Sequence, residues 1–97
     1  MTQSKKDLIP YKKTPEFSTS TVPKGLLANH STAKGVWGQI VVTNSSLVLH
    51  YEDDMLETVT VKSGGHAWVE PQQLHRVALE DACTFYVQFH KMPKTEG

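Results

Sequence analysis

The chain has 97 residues, a hydrophobic fraction of 38%, and 10 basic against 10 acidic residues. That length holds one domain with one modest core, and a zero net charge leaves no field to draw nucleic acid or an anionic membrane. A single cysteine, Cys83, excludes an intramolecular disulfide, and no stretch approaches a signal peptide or the roughly 20 apolar residues of a membrane span, so the expected setting is the cytoplasm.

Residues 1–25 are polar and hold three of the five prolines, Pro10, Pro15 and Pro23. Proline breaks helices and is excluded from central strands. This stretch is predicted as an extended arm with an edge strand near Thr21–Val22, pinned to the body by Tyr11, Phe17, Leu26 and Leu27. Residues 26–92 read as the folded body and residues 93–97 as a frayed tail.

Within the body, apolar residues recur with a period of two. Val36–Val42 is a nearly continuous apolar run, expected in a strand covered on both faces. Asn44-Ser45-Ser46 is a turn. In Leu47–Glu52, Leu47, Leu49 and Tyr51 face one way. Leu56–Lys62 follows with Val59 and Val61 inward, and Ser63-Gly64-Gly65 turns the chain. Ala67–Glu70 is a short strand ending at the Pro71 corner. His75, Val77 and Leu79 share a face of the next strand, and Thr84–His90 closes the series. No window has a helical period. Short strands separated by turns every eight to twelve residues point to an all-β sandwich or barrel.

Five histidines are many for this length. Strand alternation puts His75 on an apolar face, where an imidazole needs a hydrogen bond or a metal; a core histidine bonded to a backbone carbonyl is the plainer alternative. His30, in Asn29-His30-Ser31-Thr32, depends for its meaning on whether the fold brings it beside His75. His50 reads as solvent-facing, His66 as exposed at a turn and His90 as an edge residue. Glu70 is an oxygen ligand or general base if it points inward. Gln88 and Tyr86 are candidate pocket-lining residues. Arg76 points away from His75. No CxxC pair, HExxH helix, phosphate-binding glycine loop or GxSxG elbow is present.

The segment from Gly64 to Val77 resembles the second cupin motif: a glycine, a short apolar strand, a proline corner, then a histidine at the metal-ligand position, here His75. Gln72 stands where the corner glycine is usual. The first cupin motif is thinner. His30 supplies one of its two histidines, Gly38 stands near the place of its glutamate, and Ser45 holds the place of its turn glycine. A narrower resemblance spans most of the chain. Tyr11-Lys12, Thr14-Pro15, Thr21-Val22-Pro23, Gly25-Leu26-Leu27, His30-Ser31-Thr32, Gly35-Val36-Trp37-Gly38, Glu70-Pro71-Gln72-Gln73, His75-Arg76-Val77 and Phe85-Tyr86-Val87 are similar to the small cupin-like domain of TehB-type tellurite resistance proteins and of YeaR-like stand-alone proteins.

The resemblance implies a jelly-roll-like antiparallel β-barrel with an N-terminal arm, assembled as a homodimer. Its site residues map onto His30, His75 and Glu70, with Gln88 where relatives often carry an acid. It implies a divalent metal ion, zinc as purified, or iron, nickel or manganese. The expectation is a small metal-binding protein without methyltransferase activity and with no assigned reaction. The alternative is a non-catalytic module that binds a small molecule or oxyanion without a functional metal.

Overall fold

The computed structural model describes residues 7–53, 56–79 and 82–93. Eight strands and one short helix follow in order: β1 (Ile9–Lys13), β2 (Phe17–Ser18), α1 (Lys24–Leu27), β3 (Val36–Asn44), β4 (Ser46–Tyr51), β5 (Thr58–Lys62), β6 (His66–Val69), β7 (His75–Leu79) and β8 (Thr84–Lys91). All pairings are antiparallel. One sheet runs β1-β8-β3-β6, with β2 also on β8; the other runs β5-β4-β7. From β3 onward the chain repeatedly passes from one sheet to the other. The fold is all-β, as the patterning predicts.

Side-chain alternation fills the space between the sheets. The large sheet contributes Ile40, Val42, Ala67, Val69, Phe85 and Val87; the small sheet contributes Leu47, Leu49, Val61 and Val77. Cys83, just before β8, is fully buried among them, and burial pushes its thiol pKa up. Arg76 points out of this layer and pairs with Glu52 at 3.3 Å.

The N-terminal arm departs from its expected form. Its edge strands are β1 and β2, while Thr21 ends a turn over Thr19–Thr21 that Val22 N–H closes by donating to the Ser18 carbonyl at 2.9 Å. Edge pairing is made by the backbone, so these polar strands need no alternation. Pro10 is tolerated because β1 is at the sheet edge, next to an irregularity between Pro10 and Lys12. With β1 and β2 on one side and β3 on the other, β8 becomes a central strand. That buries His90, which the sequence places at an edge: it is 8% exposed and bonded through Nε2 to Gln39 Oε1 at 2.9 Å. Phe17, Val22 and Leu26 pack against the core, whereas Tyr11 and Leu27 remain exposed. Among the described residues, no helix is long and apolar enough to cross a membrane.

Candidate functional site

The two sheets do not close completely on each other. An open cavity of about 620 Å³ lies between them, walled by Ile40, Val69, Val77, Phe85, Val87 and Phe89 and bordered by the arm at Phe17, Pro23 and Leu26. Gly38 lines it too. A Cβ at that position would meet Thr32, Val69 and Val87 at 3.7–3.8 Å, an ordinary contact, so the bare glycine enlarges the cavity rather than relieving a clash.

His30 and His75 supply the imidazoles of this cavity, whose other lining is mainly apolar but includes Lys12, Thr14, Ser31 and Thr32. Their backbones form a bridge outside the regular strands. His30 N–H donates to the His75 carbonyl at 2.9 Å, and His75 N–H donates to the His30 carbonyl at 2.8 Å. The rings lie 4.1 Å apart between centroids at 57°. Thr32 adds a second link between the two segments: its Oγ1 donates to the Val36 carbonyl at 2.7 Å and accepts from Gln72 N–H at 3.3 Å. The loop before β3 is thus stapled to the corner between β6 and β7.

Each ring is also fixed by its Nδ1. That atom lies 2.9 Å from the Ala28 carbonyl in His30 and 2.7 Å from the Gln73 carbonyl in His75. A carbonyl only accepts, so Nδ1 carries the proton in both rings. In the neutral form Nε2 is then left with its lone pair, which is the tautomer a metal or a hydrogen-bond donor requires. Burial lowers the pKa of His75; the Gln73 carbonyl opposes that shift, and the neighbouring His30 reinforces it. The neutral ring is thereby favoured at the cavity wall.

The other site residues separate from this pair. β6 ends at Val69, and Glu70 turns to a second concavity bordered by Trp37, Tyr51 and Trp68. Its backbone N–H donates to Gln73 Oε1 at 3.0 Å, so the corner is braced by Gln73, whose Nε2 also donates to Asp53 Oδ2 at 2.7 Å. Gln88 and Tyr86 alternate with the cavity-facing Phe85, Val87 and Phe89 and so take the outer face of β8. Gln88 Nε2 donates to the Lys12 carbonyl at 2.9 Å, and Lys13 Nζ lies over the Tyr86 ring at 4.9 Å. Among the described residues no group of three or more His, Cys, Asp or Glu side chains is gathered as a metal site. Strand parity cannot reveal the Gln73 carbonyl that orients His75, because this is a backbone contact across a corner.

A family model described as the TehB-like domain matches residues 12–87. The probable S-adenosyl-L-methionine-dependent methyltransferase TehB of Haemophilus influenzae is 34% identical over 83 residues, which cover 79% of this chain and 29% of that protein. The crystal structure of TehB from Haemophilus influenzae superposes with a TM-score of 0.80 at 28% identity, covering 92% of this chain and 33% of that one. A crystal structure of a protein from E. coli superposes with a TM-score of 0.85 at 21% identity, covering 97% and 100%, a likeness of fold alone. The chain therefore spans less than a third of the curated relative.

Proposed function

The chain belongs to the TehB-like domain family, and from that premise we propose that it is a metal-binding domain of cupin type. His30 and His75 hold one divalent ion through Nε2. A small molecule enters the apolar cavity and, with water, completes the shell. The observation that carries this reading is the double tautomer lock: both Nδ1 protons are committed to carbonyls, which leaves each neutral ring an Nε2 lone pair, and the ring centroids lie 4.1 Å apart.

Two neutral imidazole nitrogens fit zinc, iron, nickel or manganese with open positions. They do not fit a closed structural zinc site with four protein ligands. When bound, such an ion supplies Lewis acidity and charge to the polar end of the cavity. The protein's own part is to hold both rings oriented, to favour neutral His75 by burial, to wall the cavity with Val77, Phe85 and Val87, and to admit the ligand beside Gly38. Glu70 lines the other concavity and stands outside this shell. We place the domain in the cytoplasm as a homodimer acting in tellurite or related oxyanion stress. The methyl transfer named for Haemophilus influenzae TehB is not assigned to this chain, which spans 29% of that protein.

A second reading is favoured by the absence, among the described residues, of a third ligand gathered with the pair. In it the cavity takes a small molecule without metal, anchored by donating a hydrogen bond to an imidazole Nε2, or an oxyanion that binds when Nε2 is protonated and donates to it. Elemental analysis of untagged protein, purified without added metal, separates the two. The metal reading expects a near-stoichiometric transition metal that is lost in His30→Ala and His75→Ala while the β-sheet circular dichroism is retained. Folded, metal-free protein whose melting temperature does not respond to added zinc contradicts it.

A further inference from the structure

The second concavity, of about 380 Å³, lies where the edge strands β5 and β6 of the two sheets face each other. Trp37 and Trp68 form two of its walls and meet at 82°, with centroids 6.3 Å apart. Tyr51 reaches it from the small sheet and donates its hydroxyl to the Trp68 carbonyl at 2.5 Å, which ties the walls together. Asp53, Glu57 and Glu70 stand around it with His66, whose ring lies 5.9 Å from that of Trp68, and no lysine or arginine is among its described lining residues. Burial raises the Tyr51 pKa first, and the charges of Glu57, Asp53 and Glu70 each raise it further, so all three carboxylates act on the same space. Trp37 is 7% exposed and its Nε1–H is buried without a partner.

Aromatic faces are negative, and they attract a cation most strongly when it sheds its water cheaply. Perpendicular indoles give apolar walls that suit methyl groups better than a tightly hydrated inorganic ion. The carboxylates balance the charge. We propose that this pocket binds a methylated organic ammonium ion, held against the walls at Trp37 and Trp68 and countered by Glu57 and Glu70.

Both tryptophans of the chain line the pocket, so intrinsic fluorescence reports its occupancy directly. The probe is choline, compared with its neutral carbon isostere, the alcohol with a tert-butyl group in place of the trimethylammonium. A saturable fluorescence change with choline is expected, with the isostere weaker by about tenfold. Glu57→Gln, at an exposed position, should weaken choline about three- to tenfold, and Trp68→Leu should abolish its binding. If Trp68→Leu does not fold, Glu57→Gln carries the test. His30→Ala should leave choline affinity unchanged, which separates this pocket from the histidine cavity. Equal binding of the isostere, displacement of choline by equimolar magnesium, or an unaltered affinity in Glu57→Gln would overturn the proposal.

Discussion

His30 and His75 are each held twice, by a shared backbone bridge and by a carbonyl on Nδ1. Rings fixed in this way lose little further freedom when Nε2 takes a ligand, so the ordering cost is already met in folding. Burial has a second consequence at this scale. It lowers the pKa values of both His75 and His90 from the ordinary 6.5. The unfolded chain then takes up protons that the native state refuses. The stability these residues contribute is complete above the unfolded value and is lost as the pH falls through it toward the native values. For His90 the cost is concrete, because protonation would put a proton on a buried Nδ1 that has no partner. In chelator-treated protein the urea midpoint should be flat from about pH 8 to about pH 7 and fall at more acidic pH. His75→Gln and His90→Gln should each flatten the fall. A midpoint that rises on acidification contradicts this assignment.

At the scale of elements, the turns carry the most local strain. Ser45, between β3 and β4, has φ 63°, and Gln72, in the corner between β6 and β7, has φ 61°. Both lie in the left-handed region that disfavours side chains. They are also the two positions where the cupin resemblance calls for glycine, so the sequence departs from the pattern while the backbone keeps its conformation. Ser45→Gly and Gln72→Gly should each stabilise the protein by about 0.5–1 kcal/mol, the strain relieved being partly offset by a freer unfolded chain. Thermal unfolding checks this, with a rise of about 4 °C or more expected for the double variant. A fall in melting temperature for both single variants would show that neither turn is strained. The strands themselves were legible because one buried face imposes period two, as in Leu47, Leu49 and Tyr51. The edge strands β1 and β2 were not, since backbone pairing to β8 leaves no such signature in a polar, proline-bearing segment.

Across the whole molecule, the histidine site was half legible. Alternation with Val77 placed His75 inward, and the family resemblance offered His30 as its partner; the fold brings the two rings to 4.1 Å. Glu70 was not readable in the same way, because the strand ends at Val69 and the left-handed Gln72 resets the direction of the chain at the corner. Nor could sequence show that the arm borders the cavity at Phe17, Pro23 and Leu26, or that β5 and β6 meet around an aromatic and acidic pocket. Both depend on contacts between segments far apart in the chain. The central claim is that the cavity presents two unprotonated Nε2 atoms to a divalent ion. Long-range proton–nitrogen NMR of the imidazoles tests it most directly. With the imidazoles in their neutral form, the metal-free protein should show His30 and His75 as the Nδ1–H tautomer, with both Nε2 resonances shifting together on zinc addition and saturating at one equivalent. Either ring in the Nε2–H tautomer, or Nε2 resonances unmoved by saturating zinc, would contradict the account.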